Sequence, residues 1–322
     1  MLIPLAERFV ALVIYNLTLR RAKMKTSDSF NINKEIEHFL SIWEQRPPAE
    51  FEIRHSKELW EERAHQWARE LMEEDASRRT ENRVQSAVRF IKNNGGLLER
   101  DKAIDIGCGP GRFVTEFAKS CQMATGTDIS EEMLSYGKEY ARSEGVLEKT
   151  SWIQCDFKRA NIKELGWEKN FDLVFSSITP AIDGIGGIKN IINMSKRLCF
   201  NSCFIKSGGD LDQLIYKELT QKDAEPSFST HLHWFYSLIN LLILNGYLPK
   251  TEYFTETVPK KIFPNEETSN YFASSFSKKL GVSQKEISPK ILEILKSIAD
   301  GRETIEYNHK CTYGFILWDV NR

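Results

Sequence analysis

The stretch Lys102-Ala-Ile-Asp-Ile-Gly-Cys-Gly-Pro-Gly-Arg-Phe-Val-Thr-Glu-Phe-Ala118 predicts a strand, a tight turn and a helix in direct succession. Its apolar start, residues 103–106, has the length of a buried parallel strand. Gly107, Gly109 and Gly111 then follow, and apolar residues return at the spacing of a helix. Glycine tolerates a positive φ and lets a ligand lie on the backbone, and the helix start offers free N–H groups. The unit therefore predicts a binding turn for a nucleotide-type ligand.

The spacing of these glycines distinguishes between two kinds of ligand. A dinucleotide-binding turn needs G-x-G-x-x-G, in which the third glycine packs the helix against the strand. Arg112 stands in the place of that third glycine. In addition, Asp105 lies just before the turn, where a carboxylate suits a positively charged ligand group better than a pyrophosphate. A nicotinamide-dependent oxidoreductase is therefore disfavoured and stays as the weaker alternative.

The segment Asp105-Ile-Gly-Cys-Gly-Pro-Gly111 resembles motif I of the class I S-adenosylmethionine-dependent methyltransferases. In that family the acidic residue and the glycines hold the methionine part of the cofactor. The resemblance implies an α/β fold with a Rossmann-like, doubly wound, seven-stranded and mostly parallel sheet whose last strand is antiparallel. It also implies S-adenosylmethionine as the cofactor and a small molecule as the methyl acceptor.

Two further predicted strands end in acidic residues. Asp128 ends the second strand about 20 residues beyond the glycines, where an acid accepts hydrogen bonds from a ribose diol. Ser130 follows it as a helix cap. Asp156 follows the third strand and resembles the acid that binds the adenine amino group in the family. Because the carboxyl ends of parallel strands meet at one edge of a sheet, Asp105, Asp128 and Asp156 predict a shared site.

The resemblance also implies that residues next to these acids and glycines contact the cofactor. The fourth strand, residues 171–176, lacks the Asn/Asp-Pro-Pro-Tyr motif of enzymes that methylate base amines, which argues against nucleic acid as acceptor. Ser176, Ser177 and Thr179 would line the floor near the transferred methyl. The predicted cofactor-binding residues are Asp105, Gly107, Cys108, Gly109, Gly111, Asp128, Ile129, Met133, Asp156, Phe157 and Ser176.

No residue is singled out as catalytic. Methyl transfer from a sulfonium needs a general base only if the acceptor arrives protonated. His231 and His233 are candidates because imidazole titrates near neutral pH, and Asp183 follows the fourth strand. None of the three has a spacing that assigns it this role. A protein that binds S-adenosylmethionine without transferring its methyl group is therefore a second alternative.

Composition limits the partners and the compartment. The 322 residues carry 44 basic and 45 acidic side chains, a net charge of -1, which gives no general attraction to nucleic acid or to an anionic membrane. Six cysteines form no C-x-x-C pair, so we expect a reducing cytoplasm and no metal site. We expect a small-molecule partner, with a homodimer left open. Residues 9–19 are too short to span a bilayer and lack a cleavage site, and Met24 is an alternative start.

The order of the predicted elements divides the chain into four parts. Residues 1–100 form an N-terminal helical cap, with helices over 31–46, from Ser56 through Trp60 and Trp67, and over 80–94. Residues 101–256 form the cofactor-binding core, and residues 308–322 form the closing strand. Residues 257–307 are predicted as a helical lid insertion.

Three local predictions concern the second half of the chain. A helix stripe extends from Ile185 to Leu198, and a strand follows over residues 199–206. Asp210 and Asp212 are predicted as polar groups of a loop. Within the insertion, a helix begins at Ser288-Pro289, because proline suits the first helical position.

Overall fold

The computed structural model of the chain describes residues 31–44, 57–64, 82–182, 184–223 and 232–321. The chain divides between His38 and Phe39 into two compact units, and the sheet and site below belong to the second. Some predictions fall outside the described residues, namely those for residues 1–23 and for Ser56, Trp67, Asp183 and His231. No helix among the described segments is long and apolar enough to cross a membrane.

Seven strands form one mixed sheet. They are β1 (Lys102–Ile106), β2 (Met123–Asp128), β3 (Thr150–Gln154), β4 (Phe171–Ser177), β5 (Ser195–Gly209), β6 (Lys250–Ile262) and β7 (Ile305–Asp319). Their order across the sheet is β3-β2-β1-β4-β5-β7-β6. The strands β1 to β5 pair in parallel, whereas β7 is antiparallel to β5 and to β6. The predicted fold class is confirmed.

Helices lie between most of these strands. They are α1 (Ile32–Trp43), α2 (Arg83–Asn93), α3 (Arg112–Ala118), α4 (Glu131–Ser143), α5 (Gly184–Met194), α6 (Asp210–Thr220), α7 (Leu232–Leu244), α8 (Glu266–Leu280) and α9 (Gln284–Ala299). Residues 57–64 are also helical. The side chain of Ser130 accepts a hydrogen bond from the Met133 N–H, so it caps α4 as predicted.

Aromatic rings in the core fix the helix of the glycine turn against the sheet. Phe175 of β4 is fully buried, and its ring stacks on Phe200 of β5 with 4.6 Å between centroids. On the helix side, Phe113 and Phe117 of α3 contact the same ring at 4.5 and 5.0 Å. This cluster holds α3, and with it the preceding turn, at the carboxyl ends of the strands.

Gly111 satisfies two requirements at the start of α3. Its φ is +75°, in the left-handed region that side chains disfavour. A Cβ atom at this position would also lie 2.3 Å from the ring of Trp152. Both the backbone conformation and the available space therefore require glycine here.

The structure corrects the predicted boundary between α5 and β5. The helix ends at Met194, and Ser195 already pairs with Phe171 of the neighbouring strand, so Ser195 and Leu198 belong to β5. The Ser195 hydroxyl donates to the Leu198 carbonyl at 2.9 Å, which stabilises the chain where the strand begins. Ser195 and Leu198 are buried three residues apart, with the exposed Lys196 between them, because the strand pairing is irregular at this point. This spacing resembles that of a helix and explains the wrong helical prediction.

The predicted loop at Asp210 and Asp212 is also wrong, because both residues begin α6. The Asp212 carboxylate accepts a hydrogen bond from the Gly209 N–H at 2.6 Å, and Asp210 accepts one from the Asn308 N–H at 3.1 Å. Acidic residues in a first turn are favourable for the helix dipole. These aspartates therefore fix the helix start to the adjacent strand ends.

The insertion is shorter than predicted and contains two helices. Ile262 pairs with Ile305, so β6 and β7 extend past the predicted limits of 257 and 307. The second helix, α9, begins after the Ser283 cap, with Pro289 inside it rather than at its start. The insertion helices pack on α6 in a second apolar core around Ile215, Phe272 and Ile291.

We predict that Phe175→Ala lowers the free energy of unfolding by about 3–5 kcal/mol, because it removes the ring on which α3 and β5 meet. Urea unfolding followed by tryptophan fluorescence measures the change. The matched control is Phe263→Ala, since the Phe263 side chain is 52% exposed; we expect a change below about 1 kcal/mol. Equal losses for both variants would contradict the central role of Phe175.

Candidate functional site

A cavity of about 540 Å³ lies at the carboxyl ends of the parallel strands. Its volume is within the range of about 300–1,000 Å³ that is usual for ligand pockets. One end is lined by the glycine turn and by residues that follow β2 and β3, and we call it the cofactor end. The other is lined by residues of α2, the ends of β4 and β5, α7 and β7, and we call it the acceptor end. Such edges are where open α/β sheets bind ligands.

Asp105 is an unpaired buried carboxylate at the cofactor end. The residue is 2% exposed, and no described residue donates a hydrogen bond to its side chain. Burial, with Asp128 nearby, raises the pKa of Asp105 well above its usual range, while Arg83 acts in the opposite direction. A positively charged ligand group would relieve this unfavourable charge.

Asp128 connects two turns of the site. One carboxylate oxygen accepts a hydrogen bond from the Gly109 N–H at 2.9 Å, and the other accepts one from the Ser130 N–H at 3.0 Å. Burial raises the pKa of Asp128, although these backbone N–H groups act to lower it. The carboxylate thus holds the glycine turn close to the start of α4 and still lines the cavity.

Asp156 lines the cofactor end together with apolar residues. Ile129, Met133 and Phe157 line the same part of the cavity, and the latter two are buried. One Asp156 oxygen accepts a hydrogen bond from the Lys158 N–H at 3.2 Å. A planar apolar group with a hydrogen-bond donor at its edge, such as adenine, fits these surroundings.

The structure brings nine of the eleven predicted cofactor-binding residues to this cavity. Two do not line it, Gly111 and Ser176. Gly111 caps α3 beneath the turn. The buried Ser176 hydroxyl donates to the Phe200 carbonyl at 3.2 Å and accepts from Asn201 at 3.0 Å, while the adjacent Ser177 faces the cavity.

The structure does not bring His233 to the cavity lining. Its ring contacts that of Trp234 at 5.4 Å, and its Nε2 atom is buried without a partner in the described part of the chain. Asp183 and His231 lie outside the described residues. The catalytic candidates therefore gain no geometric support.

Arg83 is a lining residue that the sequence analysis missed. It donates a hydrogen bond to the Ser177 hydroxyl at 2.5 Å, and its guanidinium carbon lies 5.2 Å from the Phe113 ring and 5.4 Å from the Tyr313 ring. Burial lowers the pKa of Arg83 from its usual value, against the influence of Tyr313 and Glu256. A signal was available, since a basic residue directly after the helix cap Asn82 opposes the helix dipole.

The turn after β4 joins the two ends of the cavity. Ile178 has a φ of +52°, which is rare for a β-branched residue and is found most often at functional sites. The next residue, Thr179, packs on the glycine turn so closely that a Cβ on Gly107 would lie 2.0 Å from its hydroxyl oxygen. Glycine is therefore required at position 107 by the approach of this turn.

Tryptophans from three helices line the cavity. Trp43 of α1 stacks with Trp234 of α7 at 6.3 Å, and the Trp234 indole N–H donates to the Trp43 carbonyl at 3.1 Å. Trp60 lines the cavity together with Arg63, whose guanidinium carbon lies 5.5 Å from the Trp60 ring. The N-terminal helices therefore contribute to the cavity, whereas no described residue of 263–304 lines it.

Residues 103–184 match the family model of a methyltransferase domain. The demethylmenaquinone methyltransferase of Bacteroides fragilis is 31% identical over 170 residues, which are 51% of this chain and 62% of that protein. The sterol 24-C-methyltransferase of Eremothecium gossypii is 23% identical over 100 residues, 30% of this chain and 26% of that protein. The solved structure of magnesium protoporphyrin IX methyltransferase from Synechocystis with bound SAH aligns with a TM-score of 0.38 at 16% identity, over 74% of this chain and 86% of that chain.

These matches cover part of this chain and part of the two curated relatives. The chain spans 62% and 26% of the lengths of the two curated relatives, less than two thirds in each case. A structural likeness with a TM-score of 0.38 supports no conclusion about function. The domain match, by contrast, covers the glycine turn and the three strands that lead to Asp105, Asp128 and Asp156.

We predict that Asp105→Asn stabilises the ligand-free protein at pH 7 to 8. Folding raises the pKa of this group, so the native state binds its proton more tightly than the unfolded chain does. The penalty for the charged form therefore grows as pH rises above the unfolded value of about 3.9 and vanishes below it. Thermal unfolding should show a higher Tm for Asp105→Asn at pH 7 to 8 and a smaller gain near pH 5.

The matched control for Asp105→Asn is Asp223→Asn. The Asp223 side chain is 90% exposed, and we expect no change of Tm at either pH. At each pH the gain is the Tm of Asp105→Asn minus the Tm of the parent protein. A smaller gain at pH 8 than at pH 5 would contradict an unfavourable buried charge at Asp105.

Proposed function

We propose that this chain, a class I S-adenosylmethionine-dependent methyltransferase by its domain at residues 103–184, transfers a methyl group to a small-molecule acceptor by in-line displacement. The family and the cofactor predicted from motif I are confirmed by the domain match. The reaction of the whole protein and its acceptor are our proposal.

One observation carries the proposal: the three acids at the carboxyl ends of β1, β2 and β3 line one cavity beside the glycine turn. The unpaired Asp105 carboxylate suits the ammonium group of a methionine end. In this proposal Asp128 would accept hydrogen bonds from a ribose diol, and Asp156 would accept one from an adenine amino group. The residues thus fit the cofactor in the order in which its parts are joined.

The bound cofactor supplies a methyl group activated by a sulfonium. The protein's part is to align the acceptor atom with the methyl and to exclude water. Ser177, Thr179 and Pro180 line the cavity at and just after the end of β4 and would position the transferred group there. The acceptor would supply the electron pair for the new bond to the methyl group, and the sulfur of the cofactor would keep the pair of the bond that it loses.

We propose a largely apolar, aromatic or polycyclic acceptor. Phe204, Phe235 and Trp234 line the acceptor end, and Trp43 and Trp60 lie at its margin. Aromatic walls favour flat apolar ligands through area burial and offset stacking. The names of the two relatives, a demethylmenaquinone and a sterol methyltransferase, agree with such an acceptor.

A cytoplasmic location, the lid role of the insertion and a homodimer stay predictions. The catalytic base also stays unassigned, since the candidates His231 and Asp183 lie outside the described residues and His233 does not line the cavity. The proposed reaction needs no base when the acceptor atom is already unprotonated.

We predict that S-adenosylhomocysteine, the product form of the cofactor, binds the purified protein with a Kd in the micromolar range, about -8 kcal/mol. Isothermal titration calorimetry measures it, with NAD titrated in parallel. Binding of NAD in place of S-adenosylhomocysteine would support the oxidoreductase alternative and exclude the proposed function. Binding of S-adenosylhomocysteine without turnover of any acceptor would favour a protein that binds the cofactor only.

We predict that Asp128→Asn weakens S-adenosylhomocysteine binding by about 1–3 kcal/mol, because the ribose hydroxyls lose charge-assisted hydrogen bonds. The same calorimetric titration measures the change, and circular dichroism checks that the fold is retained. Asp223→Asn serves again as the exposed control and should leave the Kd unchanged. An unchanged Kd for Asp128→Asn would remove this residue from the cofactor site.

A further inference from the structure

Arg83 is placed where its charge costs stability. It is the first residue of α2, directly after the Asn82 cap, and a cation at that end of a helix opposes the helix dipole. Its side chain is also partly withdrawn from water at the wall of the cavity. A residue that is unfavourable for its own helix and for solvation needs a compensating interaction.

The described residues compensate this charge in part. The carboxylates of Glu256 and Asp105 favour the charged form of Arg83. Its guanidinium carbon lies 5.2 Å from the Phe113 ring and 5.4 Å from the Tyr313 ring, within the range of cation–π attraction. Among the hydrogen bonds of the described residues, the Arg83 side chain makes one, to the neutral hydroxyl of Ser177. A guanidinium has five N–H donors, so several are available to a molecule in the cavity.

The position of this guanidinium indicates which molecule it meets. Ser177, Ser202 and Tyr313 belong to β4, β5 and β7, and the Ser177 and Ser202 hydroxyls share a hydrogen bond of 2.7 Å. These strands lie on the opposite side of β1 from Asp128 and Asp156, which belong to the cofactor end. Its hydrogen-bond partner Ser177 and the Tyr313 ring thus place Arg83 on the acceptor side of β1, although Asp105 of β1 is also within its electrostatic influence.

We propose that Arg83 is a specificity-determining residue that binds an anionic oxygen on an aromatic acceptor, a carboxylate or a phenolate. The planar fork of the guanidinium matches two acceptor lone pairs, and the flanking rings keep it oriented. The aromatic walls accommodate the body of such a molecule. This inference names the substrate class of the proposed methyltransferase and rests on that function.

The test uses 2-naphthoate as the anionic probe and 2-naphthamide as its uncharged match. Both are titrated calorimetrically into the full chain saturated with S-adenosylhomocysteine, at pH 7.5. We expect the parent protein to bind naphthoate at least about tenfold more tightly than naphthamide, as charge-assisted hydrogen bonds imply. Arg83→Met should remove this preference, and Arg83→Lys should keep part of it because the charge remains without the fork.

The matched control is Arg89→Met, the same substitution on the same helix. Arg89 is exposed, pairs with Glu252 at 3.7 Å and does not line the cavity, so its variant should keep the full naphthoate preference. Retained S-adenosylhomocysteine binding by Arg83→Met shows that the variant is folded and that Arg83 does not hold the cofactor.

Three results would overturn the proposal. The first is measured on the parent protein alone: it binds naphthoate and naphthamide with equal affinity, or binds neither detectably. A preference that survives Arg83→Met assigns the anion to another group, and a loss of S-adenosylhomocysteine affinity in that variant assigns Arg83 to the cofactor. Failure of the parent protein to bind S-adenosylhomocysteine at all is a different result, which refutes the proposed function itself.

Discussion

The Asp128 carboxylate joins the two turns on which the cavity depends. Its two oxygens accept the N–H groups of Gly109 and Ser130, so the turn after β1 and the turn after β2 move as one unit. The aromatic cluster around Phe175 fixes the first turn from below through α3. These contacts preorganise the cofactor end, and preorganisation reduces the entropy that binding must overcome.

The preorganised cofactor end also contains an unfavourable charge, the Asp105 carboxylate. Asp105 is buried without a hydrogen-bond donor among the described residues, and Asp128 lies close enough to raise the pKa of Asp105 further. Functional sites commonly contain groups that destabilise the free protein and are stabilised by the ligand. The charge of Asp105 is therefore expected to destabilise the ligand-free protein and to increase its affinity for a cationic ligand group.

The cofactor end could be predicted from the sequence to a large extent, whereas the acceptor end could not. The residues around the three acids of the cofactor end are local in sequence. Asp105 and Asp128 lie at the ends of short, largely buried strands that a glycine or a helix cap follows, and Asp156 comes shortly after a third short strand that is partly buried. Ser176 shows the limit of such reasoning. Successive residues of a strand face opposite sides, and only the structure shows that Ser177, rather than Ser176, faces the cavity.

Residues of the acceptor end come from distant parts of the chain. Arg83 and Tyr313 lie 5.4 Å apart, from guanidinium to ring, although α2 and β7 stand near opposite ends of the sequence. No spacing rule connects such positions, because the contact is created by the reversal of β7 beside β5. The same long-range pairing extended β6 to Ile262 and shortened the predicted insertion.

The charges of the two ends complement the proposed reaction. A cationic cofactor whose ammonium group lies beside Asp105 and an anionic acceptor beside Arg83 would each meet an opposite charge, and such pairing is stronger in a partly buried site than in water. A guanidinium next to a phenol also lowers the pKa of that phenol, because it favours the charged form. A phenolic acceptor bound in this way would be deprotonated when it meets the methyl group, and the proposed transfer would then need no general base.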